Sequence, residues 1–213
     1  LTVDPGASFQ CTNCVLTNAC PNKRWAGIEV HGTTSQHQFG TGYPTYQGRL
    51  DLLASVVENA FIGVLASARF DLLNSTGGVV NCAAATVMED TDGDGELEAI
   101  WKRTIFRNCR EGIKFYPYQN FNVNSGSLLQ NLSRFTDVHF TVEFQDEMDY
   151  DFLHHANLWK VDGIHFTGCI FDNTFQDAAF GTVGSAGMGH GIYSLDANYR
   201  VQSNCEVPWP AGG

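Results

Sequence analysis

The feature that most constrains the fold of this chain is a short motif that recurs along it. Segment 104–116 (TIFRNCREGIKFY) reads as an apolar run, an Asn, a small residue, a Gly and a second apolar run. Segment 56–65 (VVENAFIGVL) has the same pattern, and segment 168–174 (GCIFDNT) is a looser copy. Motifs that recur at such intervals are typical of solenoid proteins, in which each repeat packs on its neighbours. We therefore predict a stack of parallel β-coils.

Asparagines hold matching places in these copies. Asn59 and Asn108 are each followed four residues on by a glycine, Gly63 or Gly112, and Asn173 lies in the looser copy. Asn tolerates the left-handed backbone of a tight bend, and its amide can hydrogen-bond the equivalent group of the next coil. We expect the three asparagines to occupy corresponding bends.

Glycine followed by Ile or Val marks the start of several predicted strands. Uneven spacing between these pairs fits a solenoid whose loop insertions emerge at the coil corners. No stretch has the periodicity of a long amphipathic helix. The prediction is an all-β, right-handed parallel β-helix of about five or six coils, forming a single domain over 1–213. The glycines of these pairs are Gly27, Gly63, Gly112, Gly163 and Gly191.

Composition narrows the functions open to the chain. A net charge of -11 argues against a nucleic-acid partner, because phosphate binding needs a basic face. No apolar stretch reaches the roughly 20 residues of a membrane span. With 22 glycines, 12% aromatic and only 16% charged residues, the chain is also unlike an acidic disordered tail.

Seven cysteines indicate an oxidising compartment only weakly. Cys11, Cys14 and Cys20 are spaced like part of a zinc knuckle, but no His follows them in a compact group. We expect local disulfides or buried thiols instead. Cys109 and Cys169 hold repeat positions at which the stack needs a small buried residue.

The repeats resemble those of large secreted right-handed parallel β-helix proteins, which bacteria export with a C-terminal sorting domain. The resemblance covers most of the chain, and it implies a secreted or cell-surface location but no particular activity. This chain has no sorting domain, so we expect a segment of a longer polypeptide, with further repeats or neighbouring chains as partners. The segments that carry the resemblance are GIEV (27–30), VVENAFIGV (56–64), TIFRNCREGIKFYPY (104–118), VDGIHFTGCIFDNT (161–174) and GIYSLDANYRV (191–201).

The sharpest candidate site is the acidic, glycine-rich segment 90–96 (DTDGDGE). Alternating Asp residues on a tight turn point several carboxylate oxygens inward, as Ca²⁺ requires. The segment begins like an EF-hand loop, but its twelfth position is Trp101 rather than Glu, which excludes a full EF-hand. We predict calcium as a cofactor, and a solvated acidic turn is the alternative. The predicted ligands are Asp90, Asp92, Asp94, Glu96 and Glu98.

A second acidic stretch precedes a pair of histidines, His154 and His155. Paired carboxylates can act as the acid and base of a glycosidase, but like charges on one contiguous loop repel and stay hydrated. We therefore predict a solvated loop with no catalytic residues. At the two histidines we predict a solvent-exposed strand edge rather than a metal-binding pair. The acidic residues are Glu143, Asp146, Glu147, Asp149 and Asp151.

Aromatic residues in the predicted loops leave two interpretations open. They stack on sugars in a carbohydrate-binding groove, or they pack over the coil corners and shield them. The favoured function is a non-catalytic extracellular β-solenoid module of a bacterial surface protein, as a stalk, adhesin or filament component. The alternative is a carbohydrate-binding or polysaccharide-degrading β-helix protein, in the latter case a lyase or glycoside hydrolase. The aromatic residues are Trp25, Tyr43, Tyr46, Tyr116, Tyr118 and Phe121.

Overall fold

The structure is a computed structural model in which 23 β-strands are the regular elements of the described residues. Seventeen strands form three parallel sheets, named A, B and C, and the other six form three short antiparallel pairs. The predicted all-β class is therefore confirmed. The described residues are 1–20, 23–33, 35–38, 46–67, 77–143, 152–173, 176–177, 182–183 and 189–203.

The three parallel sheets are built from strands that are far apart in the sequence. In order of hydrogen bonding, sheet A has β1 (Thr2–Val3), β4 (Trp25–Val30), β7 (Ala60–Ala66), β12 (Glu111–Phe115), β17 (His154–Trp159) and β22 (His190–Leu195). Sheet B has β2 (Ser8–Thr12), β5 (Arg49–Leu53), β8 (Val79–Ala83), β15 (Arg134–Thr136), β18 (Asp162–Thr167) and β23 (Asn198–Gln202). Sheet C has β3 (Val15–Leu16), β6 (Val56–Glu58), β11 (Thr104–Arg107), β16 (Val138–Val142) and β19 (Ile170–Asn173).

The chain visits the sheets in the repeating order A, B, C, and one such pass is called a coil. Five passes reach all three sheets, and β22 and β23 begin a sixth. This order is consistent with a β-solenoid. Short antiparallel pairs are inserted between the sheets: β9 (Ala85–Glu89) with β10 (Glu98–Lys102), β13 (Asn120–Phe121) with β14 (Leu128–Leu129), and β20 (Gln176–Asp177) with β21 (Thr182–Val183).

Left-handed asparagines turn the chain from sheet C to sheet A. Asn59 follows β6 with a φ of 56°, and Asn108 follows β11 with a φ of 55°. The backbone nitrogen of Asn59 donates to the Arg107 carbonyl, and the backbone nitrogen of Asn108 donates to the Thr141 carbonyl, both at 3.1 Å. Each coil therefore stays hydrogen-bonded to the next one at the bend, where the strand ladder would otherwise be interrupted.

Asn173 lies in the same row as these asparagines but has a different conformation. Thr141 pairs with Arg107, and Val142 pairs with Asn173, so the row runs from Asn108 through Val142 to Asn173. Asn173 is the last residue of β19 and does not have a positive φ. The bend seen at the other two asparagines is thus not repeated there.

The interior is stacked from coil to coil by like side chains. Phe106, Phe140 and Phe171 are register partners in sheet C, and their ring centroids are 5.0 and 4.9 Å apart with planes within 11° and 3°. Phe135 and Phe166 make the same contact in sheet B at 5.1 Å. Fully burying one such ring stabilises the fold by about 1.5–3 kcal/mol.

Cysteines lie at several of the bends, two of them as thiols and two in a disulfide. Cys109 is buried directly after the Asn108 bend, and burial raises the pKa of its thiol to about 12. Cys169 follows the Gly168 bend and is partly buried. Cys11 and Cys14 form a disulfide across the first bend between sheets B and C.

A row of glycines crosses sheet A because neighbouring coils approach closely there. Register places Gly63 beside Gly112, Gly112 beside His155, and His155 beside Gly191. A Cβ on Gly63 would lie 2.5 Å from the Gly112 carbonyl oxygen, and one on Gly112 would lie 2.4 Å from the His155 oxygen. These glycines lie within β7, β12 and β22 rather than at their first residues.

Gly163 does not belong to this row. It lies in β18 of sheet B, with a φ of 87°, at an irregularity in the pairing with β23. That backbone conformation strongly favours glycine, and a Cβ there would also lie 2.5 Å from the Cβ of Gln130. The Gly-Ile pattern therefore occurs in strands of different sheets, at Gly112 in sheet A and at Gly163 in sheet B.

His155 occupies the glycine row with its imidazole buried. The ring centroid lies 4.6 Å from that of Phe152, and Nε2 donates a hydrogen bond to the Asp172 carbonyl at 2.7 Å. Burial lowers the pKa of His155 to about 4, although the hydrogen bond to Asp172 opposes this shift. The prediction of a solvent-exposed edge is therefore wrong for His155, which is only 5% exposed.

We predict that two substitutions in the glycine row have very different costs. Gly112→Ala forces a methyl group against a backbone oxygen, and we expect it to lower the free energy of unfolding by about 1–3 kcal/mol. Among the described residues, the added methyl of Gly191→Ala meets only the Phe171 Cβ, at 3.7 Å, and it should change the free energy of unfolding by about 0.5 kcal/mol or less. Denaturant unfolding of both variants measures the difference, and equal effects would contradict the described crowding.

We also predict that His155 makes the fold sensitive to mild acid. An unfolded histidine has a pKa near 6.5, so between that pH and about pH 4 the unfolded state binds more protons than the folded one. Stability contributed by the neutral ring is complete above pH 6.5 and falls by about 3 kcal/mol as the pH drops to 4.

The measurement is the free energy of unfolding across this pH range for the native protein and for His155→Gln, which keeps a hydrogen-bond donor. The pH dependence should flatten in His155→Gln. His165→Gln is the control, since His165 is less buried and should change the slope less. An unchanged slope in His155→Gln would contradict the prediction.

Candidate functional site

The predicted calcium loop lies at the tip of an inserted hairpin. Strands β9 and β10 pair in antiparallel register, from Glu89 with Glu98 to Ala85 with Lys102, and leave 90–97 as the connection. Gly93 and Gly95 have φ values of 83° and 89°, which lets the connection fold back on itself. The hairpin therefore projects the acidic segment away from the stacked coils.

Three of the predicted ligands converge in this loop. Asp90, Asp92 and Glu98 each offer a carboxylate oxygen, and these oxygens lie within 4.8 Å of one another. Asp94 and Glu96 are outside this group, and the Asp94 carboxylate accepts a hydrogen bond from the Glu96 amide at 2.8 Å. Three of the five predicted ligands thus lie together in the structure, and the other two lie apart from them.

Backbone amides hold the converging carboxylates in place. Asp90 accepts from the amides of Gly93 at 2.6 Å and Gly95 at 3.0 Å. Glu98 accepts from the amide and hydroxyl of Thr91, both at 2.9 Å, and these bonds lower the pKa of the Glu98 carboxyl. Carboxylate oxygens that are held together in this way can coordinate a hard divalent cation.

The second acidic stretch is described only at its start. Glu143 is half-exposed and forms an ion pair with Arg107 at 3.7 Å, and Arg107 also pairs with Glu58 in the coil before. His154 lies on the opposite side of its strand from the buried His155, with its Nδ1 3.2 Å from that of His190. The remaining acidic residues, Asp146, Glu147, Asp149 and Asp151, lie outside the described residues.

A groove on the outer face of sheet A contains Tyr116, a predicted loop aromatic, but its other lining residues were not predicted from the sequence. It has a volume of about 240 Å³ and crosses β12, β17 and β22. Tyr116, Trp159 and Tyr193 form its aromatic walls, and Lys114 and Asn157 supply polar groups. The usable signal was the alternation within strands, since Asn157 and Trp159 share one face.

The other loop aromatics have mixed environments. Tyr118 is buried and donates its hydroxyl to the Gln36 carbonyl at 2.7 Å, so it packs over a corner. Tyr46 is 45% exposed, and Trp25 and Phe121 are partly buried. Tyr43 lies outside the described residues.

A second cavity lies at the bend between sheets A and B. It has a volume of about 490 Å³, and its lining includes Lys160, Asp162, Asp196 and Asn198. Lys160 and Asp196 both have a positive φ, and the Lys160 amide donates to the Leu195 carbonyl at 2.9 Å. Two carboxylates and an ammonium group therefore share one cavity.

No protein-family model matches this chain, and no curated protein or solved structure is significantly similar to it.

Among the residues that the structure describes, there is no helix long and apolar enough to cross a membrane.

Proposed function

We propose that this chain is a non-catalytic β-solenoid module of a secreted or cell-surface bacterial protein, with right-handed coils that serve as a stalk, adhesin or filament component. The observation that carries the proposal is the continuity of three parallel sheets through successive coils. Such a stack forms an extended scaffold whose coils contact only their neighbours. Right-handed winding is proposed because parallel strand crossovers have this hand almost without exception.

Two outer carboxylates, those of Asp51 and Asp172, hold neighbouring coils together, as a scaffold requires. Burial would raise the pKa of Asp51, but hydrogen bonds from Arg49 and Asn81 outweigh it and lower the pKa. The pKa of Asp172 is lowered too, since hydrogen bonds that include His139 outweigh its burial. A general acid needs a raised pKa, so these two carboxyls do not suit that role, and their hydrogen bonds join neighbouring coils.

An exposed inner surface at the last described coil supports a role in assembly. Tyr199 and Val201 pair with the fully buried Ile164 and Phe166, yet they are 36% and 55% exposed. Apolar residues on the inner face of a coil are stabilised when another coil covers them. We propose further repeats of the same chain, or a neighbouring chain, as the partner that packs there.

The cavity at the bend between sheets A and B favours a second candidate function. Two carboxylates and a lysine, Asp162, Asp196 and Lys160, are the residue types that a polysaccharide lyase or glycoside hydrolase employs. A polysaccharide-degrading protein is therefore the alternative to the scaffold.

We predict that the protein releases neither unsaturated nor reducing ends from acidic and neutral polysaccharides. The measurement is a panel assay on the native protein and on the variant Asp162→Asn, Asp196→Asn, with cell fractionation of the source bacterium alongside. Fractionation should find the protein in the secreted or surface fraction. Glycan cleavage that the double variant loses, or a cytoplasmic location, would overturn the proposed role.

We further propose that the hairpin loop binds calcium through Asp90, Asp92 and Glu98. The convergence of their oxygens within 4.8 Å supports this site. Coordination through three carboxylates on an exposed loop suits the weak affinity of extracellular modules, about 10⁻⁴ to 10⁻³ M.

Titration calorimetry tests the calcium site. We expect the variant Asp90→Asn, Asp92→Asn to abolish the heat of binding at millimolar calcium, because it removes two of the three converging charges. Asp94→Asn is the matched control and should retain binding, since its carboxylate lies outside the cluster. The site is excluded by an absence of heat with the native protein or by unchanged binding in the double variant.

A further inference from the structure

The outer face of sheet A carries aligned side chains across the last three coils. Register places Lys114 beside Asn157 and Asn157 beside Tyr193, and the next outward pair is Trp159 with Leu195. Parallel strands are spaced by about 4.8 Å, so these side chains form rows that run along the stack. The groove described above lies between the rows.

The walls of the groove are aromatic rings with open surface. Tyr116 and Trp159 meet edge to face, with centroids 5.6 Å apart and planes at 61°. Tyr193 stacks on His154 at 4.8 Å with planes within 19°, and 41% of its surface remains exposed. Three rings from three consecutive coils therefore face one concave surface.

The polar part of the groove is preorganised and electrically balanced. The Lys114 ammonium lies 2.8 Å from the Glu111 carboxylate, and the Asn157 amide donates to the other Glu111 oxygen at 2.7 Å. The Glu111 side chain is only 5% exposed, so its charge is held within this network. An ammonium group has three donors and an amide has both donor and acceptor atoms, which leaves capacity for ligand hydroxyls.

We propose that this groove binds a neutral oligosaccharide. A sugar ring has an apolar C–H face that packs on aromatic side chains, and hydroxyl groups at its edge that bond to amide and ammonium groups. The Lys114 charge is already matched by Glu111, and the chain has a net charge of -11, so the described lining of the groove offers no excess positive charge to an acidic glycan. The inference rests on the proposed surface function and supplies the ligand class for an adhesin.

The test measures binding of neutral and acidic oligosaccharides to the native protein by calorimetry and assays the same mixtures for cleavage. A neutral glycan should bind, and Trp159→Ala should weaken that binding by about tenfold or more, since aromatic anchors dominate binding energy at such surfaces. Trp101→Ala is the matched control. Trp101 is 54% exposed on the β9–β10 hairpin, so its loss removes the same side chain elsewhere and should leave affinity unchanged.

Trp159→Phe, which retains a ring, should recover part of the affinity that Trp159→Ala loses. The thermal unfolding of both variants is compared with that of the native protein as a control for folding. The proposal is overturned if no neutral glycan binds, if acidic glycans bind more tightly, or if Trp159→Ala and Trp101→Ala have equal affinity. Binding accompanied by cleavage would support the groove and reject the non-catalytic role. An absence of binding by a surface-located, inactive protein would reject the groove alone.

Discussion

Parallel hydrogen bonding between successive coils is the interaction on which the rest of the structure depends. It sets one coil about 4.8 Å from the next, so each side chain lies against its register partner in the neighbouring coil. Flat rings such as Phe106 and Phe140 stack well at this spacing, with centroids 5.0 Å apart. At the glycine row the same approach leaves no room for a Cβ, as at Gly112. Stacked rings and a row of glycines thus follow from one constraint.

The same constraint organises the outer surface, where the proposed functions lie. Inner rows bury apolar side chains and determine stability, whereas outer rows place equivalent positions of successive coils side by side. Lys114, Asn157 and Tyr193 lie together in space although long stretches of sequence separate them. Residues outside the coils are less constrained, and the carboxylates of the β9–β10 hairpin converge through their own backbone hydrogen bonds.

Local patterns predicted the fold class but not the partners of each strand. The Asn–Gly spacing at Asn59 and Asn108 indicated bends, because asparagine adopts the left-handed backbone of a bend more readily than most residues do. The Gly-Ile pattern indicated strands but not sheets, since it occurs in strands of both sheet A and sheet B, the latter at Gly163. The grouping of Trp159 with Tyr193 was not predictable from the sequence, because a groove arises only when separate coils are stacked. Three of the five acidic residues converge because the turn geometry of the hairpin selects among them.

A crystal structure of the protein tests the central claim, the stacking of coils in three parallel sheets, most directly. It should show Phe106, Phe140 and Phe171 on neighbouring parallel strands with ring centroids about 5 Å apart. It should also show Asn59 and Asn108 in left-handed bends of adjacent coils. Antiparallel pairing of these strands, or separation of the three rings, would contradict the account.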